Sequence, residues 1–119
     1  MSVATTQKFD LEERTAKFGE DVIKFCQRIP KSTIADPLIV QLVKAATSVG
    51  ANYCEADDAE SKKDFRHKVG ICKKESRESK HFLRMITVAV PATADSSHDL
   101  WQEAKELNLI FNAIYRKIH

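Results

Sequence analysis

Apolar residues recur every three or four positions through four separate stretches of this chain, and no stretch alternates apolar with polar residues over a strand's length. That spacing limits the fold more than any other feature. A helix with an apolar stripe and no sheet to cover it must bury the stripe against other helices. The connections are short, which makes neighbours antiparallel, so the expectation is an all-α antiparallel four-helix bundle.

The spacing and its punctuation predict helices over about 10–29, 37–58, 62–90 and 98–118. In the first, Leu11, Phe18, Val22, Phe25 and Ile29 share a face. Asp10 with Glu13 reads as a capping box, and Pro30 ends the helix because it has no N–H to give. In the second, Asp36 reads as the N-cap and Pro37 as the first helical residue. Leu38, Leu42, Ala45, Val49 and Ala56 follow on one face. The third starts at the Ser61–Asp64 capping variant and keeps a heptad seam of Phe65, Val69, Cys72, Ser76, Ser79, Leu83 and Ile86. A polar loop from Ala92 to Ser97 leads to the fourth, with Leu100, Ala104, Leu107, Phe111, Ile114 and Ile118 as its seam.

A length of 119 residues fits one domain over 1–119. Cys26, Cys54 and Cys72 match no zinc spacing and fall in helical patterns, which predicts three reduced, mostly buried thiols. Met1 to Lys8 has no apolar signal core, and no stretch reaches the roughly 18 apolar residues of a membrane helix, so the cytoplasm is the expected compartment. There is no P-loop, H-E-x-x-H, G-x-S-x-G or dinucleotide fingerprint. Glu78 and His81 give one Glu-x-x-His spacing where a carboxylate-bridged metal site needs two, so no metal, cofactor, small-molecule substrate or catalysis is expected.

Two features go beyond a plain bundle. The second helix is apolar around most of its girth, with Gln41, Lys44, Ser48, Asn52 and Glu55 confined to a narrow stripe. The excess predicts self-association through Ile39, Val43, Ala46, Gly50 and Tyr53, the alternative being that the second helix is simply the most central of the four. The third helix gathers one sign of charge on an arc: Arg66, Lys73 and Lys80, then Arg77 and Arg84, then His67, Lys74 and His81. Asp64, Glu75 and Glu78 fall on its other flank. The net charge of only +2 implies no nucleic-acid binding by itself, but a clustered basic arc is the electrostatic footprint phosphates need, the alternative being a solvated Lys/Arg face offset by acidic residues on neighbouring helices. Polar Ser76 and Ser79 within the seam, with Asn52 and Glu75 beside it, are expected to satisfy one another between the second and third helices.

Gln41-Leu42, Ala46-Thr47-Ser48-Val49, Ala51-Asn52-Tyr53 and Glu55-Ala56, followed by Ser61-Lys62-Lys63-Asp64-Phe65, Lys73-Lys74-Glu75-Ser76, Glu78-Ser79 and Phe82-Leu83, resemble the bundle proteins encoded by intervening sequences of 23S ribosomal RNA genes. The likeness runs from about Phe9 to Ile118. It implies an up-down-up-down bundle assembled as a ring-like homopentamer. It also implies kinship with the accessory protein of diversity-generating retroelements, a basic pentameric barrel that binds nucleic acid and a reverse transcriptase. The family's signature polar positions map to Ser48, Asn52, Glu55 and Glu78. Many members carry a small pair near positions 74 to 76, where this chain has Lys-Glu-Ser. Two functions follow as expectations. One is a homo-oligomer that binds RNA or DNA through the third helix. The other is a protein-interaction scaffold using the second helix or Ile71, Phe82 and Met85.

Overall fold

A computed structural model describes the backbone of residues 3–118 and the side chains of residues 11–118. Its helices are α1 (Val3–Gln27), α2 (Ala35–Asp57), α3 (Lys62–Ala89) and α4 (Ala94–Lys117), with a single 3-10 turn at Pro91–Thr93. No strand occurs among the described residues. The 28 residues of α3 rise about 42 Å at 1.5 Å each, which accounts for the 44 Å long axis of the molecule.

Three helix starts differ from the sequence expectation. α1 begins at Val3, so Asp10 lies inside the helix and does not cap it; its side chain falls outside the described residues. At α2 the cap is Ser32, not Asp36. The Ser32 hydroxyl accepts from the Ala35 N–H at 2.9 Å, and the Asp36 carboxylate accepts from the Ser32 N–H at 3.2 Å. Asp36 is thus the returning half of a reciprocal box four residues on. The expected loop over Ala92–Ser97 is instead a 3-10 turn and the first turn of α4. Ser97 is drawn inward: its hydroxyl donates to the Leu83 carbonyl at 3.0 Å and accepts from Thr87 at 2.7 Å. Asp95 in that first turn complements the positive end of the helix. The start of α3 follows the expectation, with Ser61 accepting from the Asp64 N–H at 3.0 Å.

α3 packs broadly on both α2 and α4, while α1 leans on α2 and touches α4 lightly. The buried centre draws Phe18, Val22 and Phe25 from α1, Leu42 and Val49 from α2, Val69, Leu83 and Ile86 from α3, and Leu107 and Phe111 from α4. Arg14 closes the weaker seam. Its guanidinium forks onto Glu103 with two 2.8 Å bonds and reaches Glu106 at 3.0 Å. At the α1–α2 crossing a Cβ on Gly50 would meet the Thr15 carbonyl at 3.4 Å, an ordinary van der Waals contact, so the two helices pack backbone to backbone there.

The seam serines donate to carbonyls of their own helix, and the expected α2–α3 link runs instead through Ser48 and Glu75. Ser76 donates to the Lys73 carbonyl at 3.0 Å and Ser79 to the Glu75 carbonyl at 2.8 Å. Among the described residues, every buried side-chain nitrogen and oxygen is hydrogen-bonded.

Candidate nucleic-acid interface

The basic arc of α3 runs beside a stripe of α4 that also repeats every seven residues. Arg66 meets Tyr115, Lys73 meets Asn108, and Lys80 meets Trp101. The Arg66 guanidinium lies 3.7 Å from the Tyr115 ring centroid, donates to the Tyr115 hydroxyl at 2.9 Å, and donates to the Ile118 carbonyl at 2.8 Å. Gly70 makes room for this: a Cβ there would sit 3.1 Å from Tyr115 Cε2. The Asn108 amide donates to the Lys73 carbonyl at 2.8 Å. Lys73 and Lys80 hold their ammonium groups 5.0 Å and 5.4 Å from the Tyr115 and Trp101 ring centroids. Arg66 therefore fastens α4 to α3, and Lys73 and Lys80 are half-buried beside aromatic rings.

His67, Lys74, Arg77, His81 and Arg84 point outward and are exposed. Arg77 and His81 line two adjoining hollows on this face. One, of about 700 Å³, runs past Gly70, Lys73, Lys74 and Tyr115; the other, of about 800 Å³, runs past Lys80, Arg84, His98 and Trp101. Glu78 borders the first hollow, so one carboxylate interrupts the arc that the sequence placed wholly apart from it. Glu103 and Glu106 are turned away to Arg14, while Lys105 adds a further cation 5.6 Å from the Trp101 centroid.

Sequence reasoning missed the aromatic half of this face. Trp101, Asn108 and Tyr115 share a seven-residue spacing on α4, and that signal would have set them beside Arg66, Lys73 and Lys80 had the two helices been read in register. His98 joins them, its ring within 13° of the Trp101 plane and 6.1 Å away between centroids.

The signature polar residues sit elsewhere, along the α2–α3 side. The Asn52 amide donates to the carbonyl and the hydroxyl of Ser48, both at 2.9 Å. Ser48 hydrogen-bonds Glu75, whose carboxyl is raised above its ordinary pKa by burial and then by the neighbouring charge of Glu78. Glu55 stands apart in a 3.3 Å ion pair with Lys68. The four positions thus form a Ser48–Asn52 pair, a link through Glu75 to Glu78, and a separate surface bridge.

The self-association surface needs a correction. Ala46 and Tyr53 are 0% and 5% exposed, interior residues of the subunit that present nothing to a second copy. Gly50 packs on α1, and Ile39 and Val43 are half-buried against the core. α1 and α3 cover most of the apolar girth of α2, because both of its long sides face a neighbouring helix. What remains outside on α2 is Val40, Ala51 and Cys54, with Ile34 exposed just before the helix. Cys54 also departs from the expected buried thiols: it is exposed, whereas Cys26 and Cys72 are buried.

The model of the 23S rRNA-intervening sequence protein family matches residues 7–115, which includes all of α2 and α3 and both aromatic stations of α4. The chain belongs to the 23S rRNA-intervening sequence protein family. Its fold is also that of a crystallised protein of unknown function from the S23 ribosomal protein family of Bacteroides thetaiotaomicron. The two share 24% identity over 88% of this chain and 97% of the other, with a TM-score of 0.78. No curated protein matches it significantly. In this family member, no described helix is long and apolar enough to cross a membrane. No group of three or more His, Cys, Asp or Glu placed to hold a metal occurs among the described residues.

Proposed function

We propose that this protein is a non-catalytic, cytoplasmic, antiparallel up-down-up-down bundle that assembles as a ring-like homopentamer and binds RNA or DNA through the α3–α4 groove. The antiparallel order is supported by the ends of the helices. Arg66 near the start of α3 bonds Tyr115 near the end of α4, and Thr87 near the end of α3 bonds Ser97 near the start of α4. One observation carries the nucleic-acid reading. Lys74, Arg77 and Arg84 stand exposed along one groove with no hydrogen bond or ion pair among the described residues, beside two aromatic rings. Among the described residues, Glu78 alone of the carboxylates borders the hollows of this groove, and exposed cations in excess of it can neutralise phosphates and release their counterions. Assembly draws on the exposed apolar side chains Ile34, Val40 and Val88, and repetition of the groove around a ring would multiply its affinity.

Native mass spectrometry before and after nuclease treatment tests both parts. The expected result is a five-subunit species that carries nuclease-sensitive mass, which the Arg77→Glu, Arg84→Glu double variant loses while keeping its subunit number. A monomer ends the assembly reading. A purified protein with no affinity for structured RNA, single strands or duplex DNA ends the nucleic-acid reading.

A further inference from the structure

We infer that the α3–α4 groove takes single-stranded nucleic acid, with an unpaired base stacked at Trp101 and the flanking phosphates on Arg77 and Arg84. This rests on the nucleic-acid reading above and narrows it. Neutralising a duplex needs only cations, because its base faces are already stacked on one another and only the base edges reach the grooves. This groove supplies more than cations. Trp101 is half-buried, with one part of the ring fixed in the fold and the rest facing an 800 Å³ hollow. His98, exposed, holds its ring nearly parallel to the indole. A base entering the hollow therefore meets two aromatic planes of one orientation.

The cations are arranged around those planes. Lys80 and Lys105 each place an ammonium within 6 Å of the indole centroid. Arg77 and Arg84 lie two helical turns apart on α3 and line the same hollow. A base stacked on the indole keeps its two phosphates within this ring of positive charge. Aromatic stacking with a tracking basic groove is the arrangement by which single strands are held without reading sequence. The Thr87 hydroxyl and the buried Ser97 are already bonded to each other and to Leu83, so neither is free to read a base edge, and Arg77 and Arg84 are taken up by phosphates. Little base preference is expected.

The chain has one tryptophan, so its fluorescence reports this site alone. The wild-type protein is titrated with a short oligothymidylate strand and with a hairpin duplex of equal charge. The expected result is quenching of Trp101 emission by the single strand and none by the duplex. Trp101→Ala lowers single-strand affinity about tenfold or more, Trp101→Phe keeps most of it, and duplex affinity is the same in all three. Duplex binding with no single-strand preference, or single-strand binding without quenching, overturns the inference and leaves the broader reading standing. Failure of both ligands to bind overturns the two together. If Trp101→Ala fails to fold, the quenching of the wild-type protein and the affinity of Trp101→Phe decide the matter.

Discussion

Replacing Tyr115 separates what holds the bundle together from what faces a ligand. Tyr115→Phe keeps the ring on Gly70 but removes the hydroxyl that accepts from Arg66 at 2.9 Å. Arg66 still reaches the Ile118 carbonyl at 2.8 Å and is partly in solvent, so the loss is that of one ordinary hydrogen bond, about 1 kcal/mol. For a chain of this size that lowers Tm by about 4 °C. Tyr115→Ala also removes the half-buried ring and the stacking of the guanidinium 3.7 Å above it. The total is then about 3 kcal/mol. Thermal and urea melts followed by circular dichroism measure both. A double-mutant cycle of Arg66→Met with Tyr115→Phe isolates the pair and should return a coupling of about 1 kcal/mol. Because Arg66 is occupied with Tyr115 and Ile118, Arg66→Met should weaken the fold while leaving nucleic-acid affinity close to wild type. A coupling near zero, or an affinity loss as large as that of Arg77→Gln, refutes the assignment of Arg66 as a fastener.

Three further outcomes follow from the packing. Ala46→Asp should unfold the protein, since it buries an unpaired carboxylate of several kcal/mol's cost at a site that is 0% exposed, whereas Val40→Glu should move the Tm of the single folded chain by no more than about 2 °C and show itself in subunit number in sedimentation. Burial pushes the Cys26 thiol up to about 11 and the Cys72 thiol up to about 12, so a thiol reagent at neutral pH should modify Cys54 quickly and the other two only on unfolding; fast labelling of all three contradicts the core described. Glu75 binds its proton more tightly folded than unfolded, because burial and Glu78 raise its pKa. Its contribution to stability is therefore present in acid and is lost as pH rises from the ordinary carboxylate range through the raised value. Glu75→Gln should raise Tm at neutral pH and make no difference in acid, and an equal shift at both pH values would refute that cause.

Much of the fold could be read from the residues. The seam of α3 is visible because a helix with neighbours on two sides buries every third or fourth residue for its whole length. Val69, Cys72, Ser76, Ser79, Leu83 and Ile86 are all buried. Ser61 was legible as a cap because it precedes the first turn by the usual spacing and no rival hydroxyl stands nearby. At α2 a rival did stand nearby: Ser32 and Asp36 both suit a cap, and spacing alone could not rank them. The girth of α2 misled for a different reason. A helical wheel gives the width of an apolar face but not how many helices share it: Ala46 and Gly50 face α1, and Tyr53 reaches across the core to Phe111 of α4. On the basic face the sign of the charge was legible, but the division of labour was not. Whether a lysine or arginine points at water or at an aromatic ring depends on the register of α3 against α4, which no single helix encodes. That register turned Arg66, Lys73 and Lys80 toward Tyr115 and Trp101 and left Lys74, Arg77 and Arg84 outside.

The salt dependence of binding measures those outward cations most directly. With Lys74, Arg77 and Arg84 each neutralising a phosphate, the logarithm of affinity for a strand short enough to span one subunit should fall against the logarithm of salt with a slope of about −2. Arg77→Gln with Arg84→Gln should flatten that slope to about −0.7 while leaving Tm and subunit number unchanged. A wild-type slope near zero, or one that the double variant leaves as steep, would mean that phosphate does not lie on this face of α3.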